Sequence, residues 1–402
     1  MEKLAALIKA VPKAEIHSHL DGCLRMETVA KLAKEHGVVL PTYDPEALSK
    51  LLLKDKYENL VDYLKPFGVF VSVMKKAEQV EQISYEYACD YIKDNVFYVE
   101  TRFAPQLHVG AHLKTIEDVL VAVNAGMSRA ANEYNRTPEV VNKEKPEFRY
   151  GIICCIMRAI FPGMSEYYDE ILNAFKYTAN KKLAHVHAGK QLIQAALIAK
   201  EKLHIPIVAL DLAGGEFENP CSDFAEPFEI AKLNLLNITI HAGEADGPDS
   251  IYNALMMGAQ RLGHALHLWD KDMTKRPNAE SFCNSLAEYI AKTRIGVEVN
   301  ITSNMQTYAA IKTVADHPLK KMLDNKICAC ICCDNKTVSK TWISKELQLA
   351  VDGFKLSLPE IKSLVLNSFE QAFFPGTQTE KLEYIATIKK YYDSIEAKYA
   401  PK

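Results

Sequence analysis

The amino-acid order predicts a (β/α)8 barrel with extra helices over its C-terminal mouth, in the α/β class. Three observations carry this. Eight short runs rich in Val, Ile and aromatic residues alternate with longer stretches whose apolar residues recur every three or four positions. The short runs are apolar almost throughout, as parallel strands covered by helices on one side and packed inside on the other must be. Finally, the chain has 402 residues, 48% of them hydrophobic, which suits one large barrel spanning 1–402 as a single domain.

The strands are expected at 14–19, 96–103, 148–157, 207–212, 237–241, 261–263, 295–300 and 326–333. Each is short, and each ends in polar residues. Amphipathic stretches at 80–93, 116–134, 167–177 and 192–203 read as helices between them. The segment 43–70 exceeds an ordinary βα connection and is expected to fold into the additional helices. Polar, proline-flanked residues at 137–146 read as a surface loop, and beyond Lys340 the pattern is helical.

Composition narrows the function. Net charge is −3 with lysines scattered, so neither a nucleic-acid surface nor a membrane-binding face is expected. The opening residues Met1-Glu2-Lys3-Leu4-Ala5 lack a signal pattern, and no apolar run reaches membrane-spanning length. Ten cysteines lie mostly inside apolar runs, as buried thiols in a reducing, cytoplasmic setting would. The run Cys328-Ala329-Cys330-Ile331-Cys332-Cys333 places its thiols in a row along a strand face, and a row cannot close around an ion.

His17 and His19 stand two apart at the end of the first expected strand, so both side chains face the same way. His241 ends the fifth strand, with Glu244 three residues on; His264 follows the sixth and Asp334 the eighth. Active sites of such barrels sit at the C-terminal strand ends. Any one of these residues could be a hydrogen-bonded strand end. Their convergence on one rim points to a metal site of imidazole and carboxylate ligands.

The segments Glu15-Ile16-His17-Ser18-His19-Leu20-Asp21-Gly22, Asp211-Leu212-Ala213-Gly214-Gly215-Glu216, His241-Ala242-Gly243-Glu244, Arg261-Leu262-Gly263-His264 and Cys333-Asp334-Asn335 resemble the motifs of the adenosine deaminase family. Val99-Glu100-Thr101-Arg102-Phe103-Ala104-Pro105 and Thr302-Ser303-Asn304-Met305-Gln306-Thr307 match it as well, so the resemblance runs in order from about residue 8 to about residue 375. The resemblance implies one Zn2+ held by His17, His19, His241 and Asp334. Asp334 and His264 would orient the attacking water and accept its proton, while Glu244 would protonate purine N1. A purine nucleoside, adenosine and its deoxy form, is the implied substrate, inosine and ammonia the products, and a monomer the expected state.

Recognition follows from the same resemblance. Gly214 would offer its N–H to purine N3, and Asp21 would accept from the ribose 5′-hydroxyl, although the Asp21-Gly22 pair also suits a turn. Tyr63, Leu64 and Phe67 share one face of an expected helix, as an apolar lid or as plain core. One position departs from the family pattern. Asn335 stands where a second Asp is usual, and its amide can donate to N7 without needing protonation. The segment Ala184-His185-Val186-His187-Ala188-Gly189-Lys190 imitates the motif but leads into a helical pattern, so its histidines read as loop or helix-start residues. Adenine and N6-modified AMP deaminases of the same family, or another metal-dependent hydrolase on the barrel, are the alternatives. The ligand set would also hold iron or cobalt.

Overall fold

The computed structural model describes residues 2–180 and 182–399. Eight strands form one sheet in sequential order: β1 (Lys13–His19), β2 (Val96–Phe103), β3 (Arg149–Met157), β4 (Ile207–Ala213), β5 (Asn237–Ala242), β6 (Arg261–His264), β7 (Gly296–Val299) and β8 (Cys328–Ile331). All seven neighbouring pairs are parallel. Residues 328–331 precede the closing seam, where Asp334 N–H donates to His17 O and His19 N–H donates to Asp334 O, both at 2.9 Å. The expected barrel and all eight strands are present.

Two further bonds tighten that seam. The buried carboxylate of Glu15 accepts from His17 N–H at 2.7 Å and from Cys333 N–H at 2.8 Å. A backbone that carries two histidines and an aspartate is therefore pinned from both strands.

The strands are apolar because both faces are covered; every residue of β2, β4, β6, β7 and β8 is buried. Helices begin where the chain supplies its own caps. Thr115 and Asp118 form a reciprocal capping box before Ile116–Asn135, and Ser357 with Glu360 does the same before Leu358–Gln371. The extra helices expected within 43–70 are Pro45–Leu52, Leu60–Leu64 and Phe67–Ser72. They reach the C-terminal side of the barrel, where Tyr57 N–H bonds Gln306 O at 3.0 Å and Tyr63 Oη lies 2.7 Å from Ser339 Oγ.

Three expectations need correction. Residues 137–146 are not all loop, because Pro138–Val141 forms a short helix with proline in its first turn, where a missing N–H costs nothing. Tyr63, Leu64 and Phe67 do not share one helix, since the chain breaks around Pro66; Tyr63 is buried and the other two are partly exposed. The helix expected at 192–203 begins ten residues earlier, at Lys182, so His185 and His187 lie in its first turns, outside the group formed by His17, His241, His264 and Asp334. All ten cysteines are free thiols, and all but Cys89 are buried.

Candidate functional site

The C-terminal strand ends bring four groups together. Ligand atoms of His17, His241, His264 and Asp334 all lie within 4.8 Å of one another, and all four residues are buried. His19 joins them from β1: its Nε2 is 3.2 Å from His241 Nε2 and 3.4 Å from Asp334 Oδ1. His17 Nε2 is 3.5 Å from the same Asp334 oxygen. Atoms bound to one ion at ~2.1 Å in a tetrahedral arrangement stand ~3.4 Å apart, so these spacings suit a divalent cation. His17 Nε2 is buried without a hydrogen-bond partner, which is the donor atom such an ion would use.

Each imidazole is steered from behind. His17 Nδ1 lies 2.6 Å from Glu298 Oε2 on β7, and His241 Nδ1 lies 3.1 Å from Asp211 Oδ1 on β4. A carboxylate behind the ring keeps the proton on Nδ1 and leaves Nε2 as a lone pair. Arg102 joins the two carboxylates, at 2.9 Å to Glu298 and 3.3 Å to Asp211. Arg261 adds 2.7 Å to Glu298 and 2.6 Å to Glu100, so the barrel interior holds a fully buried lattice of paired charges. Burial pushes the carboxyls of Glu298 and Asp211 up, but Arg102 and Arg261 against Glu298, and His241 and Arg102 against Asp211, hold both well below the ordinary range.

Asp334 is pinned in the same way. Ser303 Oγ donates to its Oδ2 at 2.7 Å, leaving Oδ1 among the histidines. Burial opposes its charge, yet His17, His19 and His264 hold its carboxyl well below the usual range. Burial, reinforced by His17, keeps His264 well below an ordinary histidine. His264, Ala265 and Asp334 all have left-handed backbone, with φ of 66°, 46° and 61°. Such non-glycine conformations persist only where the surroundings impose them, and they collect at functional sites.

Glu244 sits on the turn after β5. Its carboxyl is 3.6 Å from His264 Nε2, and burial together with the charge of Asp334 pushes its pKa up to about 8. The turn hangs on one side chain, Glu216. Its carboxylate accepts from the N–H groups of Gly243, Glu244, Ala245 and Asp246 at 2.7–3.1 Å, and from the hydroxyl of Ser250.

The remaining candidates also follow C-terminal strand ends, those of β1, β4 and β8. Asp21 lies in the turn after β1, buried with Oδ1 unpartnered, and burial pushes its carboxyl up to about 7. Gly214 follows β4 with φ of 99°, a backbone that other residues avoid. Here the conformation demands glycine, since an added Cβ would meet only ordinary contacts with Met157 and Arg158. Asn335 is buried, with Oδ1 against the bare Cα of Gly22; a Cβ at position 22 would lie 1.9 Å from it.

The sequence reading assigned no role to Glu298, Asp211, Arg102, Glu216 or Ser303. A charged residue inside an apolar strand, as in Gly296-Val297-Glu298-Val299, is the signal that was available, because such a group must be paired when buried.

Residues 12–183 and 176–390 match the family model described as Adenosine deaminase. The chain is 31% identical over 377 residues to an adenosine deaminase of Clostridium botulinum, covering 93% of this chain and 98% of that protein. It is 32% identical over 369 residues to a probable adenosine deaminase of Dictyostelium discoideum, covering 91% of this chain but only 41% of that longer protein. Among solved structures, the fold is shared with an adenine deaminase from Arthrobacter aurescens (TM-score 0.71, 21% identity, 96% of this chain and 100% of that one). It is shared also with an N6-mAMP deaminase from Arabidopsis (0.72, 23%, 96% and 99%) and a zinc-bound amidohydrolase from Burkholderia ambifaria (0.75, 19%, 100% and 95%). With the family matched over nearly the whole chain, the protein belongs to the adenosine deaminase family of metal-dependent hydrolases and is a deaminase.

Proposed function

We propose that this chain hydrolyses adenosine and 2′-deoxyadenosine to inosine and ammonia, as a step of purine salvage. One Zn2+ would be held by His17, His19, His241 and Asp334. The observation that carries the reading is a buried carboxyl, Glu244, 3.6 Å from His264 and beside a cluster of metal-ligand type.

A bound zinc ion supplies a strong nucleophile at neutral pH by lowering the pKa of water to about 7. Glu244, neutral in the closed site, donates its proton to purine N1 and leaves C6 electron-poor. Asp334, ionised and fixed by Ser303, takes the proton of the attacking water, with His264 beside it. Water adds at C6; Asp334 passes the proton it took to the amino group, which departs as ammonia, and the C6 hydroxyl proton returns to Glu244 as the carbonyl of inosine forms.

Gly214 N–H pairs with purine N3, the Asn335 amide donates to N7, and the unpartnered Asp21 oxygen receives the ribose 5′-hydroxyl. Asp21 is what favours a nucleoside over free adenine. An N6-modified nucleotide is the second reading, because that substrate belongs to a protein of the same fold. The donor set suits zinc, and a zinc-bound protein shares the fold.

The ten free thiols fit a cytoplasmic setting, and no described helix is long and apolar enough to cross a membrane. A monomer is the working state proposed, with no nucleic-acid or membrane partner.

Replacing Glu244 with Gln tests the reading. Turnover of adenosine should fall by about 10²–10⁴ with metal content unchanged, as loss of a general acid requires. Turnover near normal would remove Glu244 from its role.

A further inference from the structure

We propose that His317 and Asn304 form a relay that holds the proton of His264 on Nε2, so that His264 is a hydrogen-bond donor in the site and not a metal ligand. The kinetic part of this rests on the deaminase reading above; the proton's position does not.

Proximity alone leaves His264 ambiguous, since its ligand atom lies within 4.8 Å of those of His17, His241 and Asp334. The hydrogen bonds behind the ring remove the ambiguity, starting from a donor that has no alternative. The backbone N–H of Leu319 lies 3.1 Å from His317 Nδ1, so that nitrogen accepts. His317 is buried, and burial holds its pKa down to about 3, so the ring is neutral. A neutral imidazole has one proton, which must then sit on Nε2.

That Nε2–H is 3.1 Å from the Asn304 side chain, and the atom receiving it is the amide oxygen. The other end of the same planar amide is therefore nitrogen, and it lies 3.0 Å from His264 Nδ1. An amide N–H only donates, so His264 Nδ1 accepts and its proton is displaced to Nε2. The Asn300 amide nitrogen, 3.4 Å from the same Nδ1, adds a weaker contact of the same sense.

His17 and His241 are set the opposite way. Each has a carboxylate behind Nδ1, Glu298 at 2.6 Å and Asp211 at 3.1 Å, so each turns a lone pair toward the centre. Second partners thus sort neighbouring histidines into lone-pair ligands and one N–H donor. With its proton already on Nε2, His264 can orient an oxygen in the site but cannot take a proton there. Proton acceptance then falls to Asp334. Asn304 and His317 are positioning residues, and the connection between β7 and β8 that carries them becomes part of the machinery.

Nitrogen NMR of the full chain with isotope-labelled histidine tests this directly. The His264 ring signals are assigned by their loss in His264→Asn, and are recorded before and after zinc is added. The relay predicts an Nε2–H tautomer in both samples. Asn304→Asp keeps the shape but offers only acceptors, so the His264 proton should move to Nδ1. The kcat for adenosine should then fall by about ten- to a hundredfold while KM changes little. His317→Phe should loosen the tautomer and lower kcat, and His317→Gln, which keeps a donor for Asn304, should restore both. An Nδ1–H tautomer in the native protein, or no change of tautomer in Asn304→Asp and His317→Phe alike, would overturn the relay. A chain that shows the expected tautomers yet leaves adenosine unchanged would support the relay and overturn the substrate assignment.

Discussion

Nδ1 of His17 lies 2.6 Å from the carboxylate of Glu298, a side chain fully buried inside the barrel. The same carboxylate receives Arg102 at 2.9 Å, Arg261 at 2.7 Å and Thr239 Oγ1 at 3.0 Å. One carboxylate thus orients a candidate metal ligand and pairs with two guanidinium groups, whose remaining charge Asp211 and Glu100 balance.

The Glu298→Gln variant should bind metal about ten- to a hundredfold more weakly, because the ligand loses its charged partner. Competition against a chelator measures this. An unchanged metal affinity would show that the carboxylate serves only the arginines.

Glu216 organises the other half of the site. Its two oxygens accept four backbone N–H groups at 2.7–3.1 Å and the Ser250 hydroxyl, which fixes the turn bearing Glu244. An amide at this position has one oxygen and two unwanted donors. Glu216→Gln should therefore lower kcat by about a hundredfold through a misplaced Glu244, with metal content retained. Full activity in that variant would contradict the positioning role.

Acid should weaken the fold through His108. Burial, reinforced by Lys75, holds its pKa down to about 3 against an ordinary 6.5. Below pH 6.5 the unfolded chain takes up a proton that the folded chain refuses, so stability falls as pH falls toward 3. At pH 5 this amounts to about 2 kcal/mol relative to neutral pH. Urea unfolding at pH 7 and pH 5 should show a smaller loss in His108→Leu than in the parent, by about that amount. Equal losses would exclude His108 as a source of the acid sensitivity.

The barrel was legible because each strand is an apolar run between polar ends. Boundaries shifted most at β7 and β8, where 295–300 and 326–333 shrink to Gly296–Val299 and Cys328–Ile331. Beyond them Asn300 and Asn335 leave the ladder for the rim, while Asp334 keeps a bridge to Ser18 of β1. The histidines and Asp334 were legible from their places at strand ends. What could not be read was which buried partner stands behind each, since Glu298 and His17 are 281 residues apart in sequence. Pairing of this kind is set by barrel closure across strands, and local spacing has no record of it. The helix at Pro138–Val141 was missed for the opposite reason, because four residues are too few to show a period.

The central claim is tested most directly by the ultraviolet absorbance of adenosine, adenine and AMP incubated separately with the purified protein, before and after removal of metal. The account predicts rapid loss of the adenosine signal, absent with the other two and abolished by chelation. Conversion of adenine or AMP in preference to adenosine, or no change with any of the three, would contradict it.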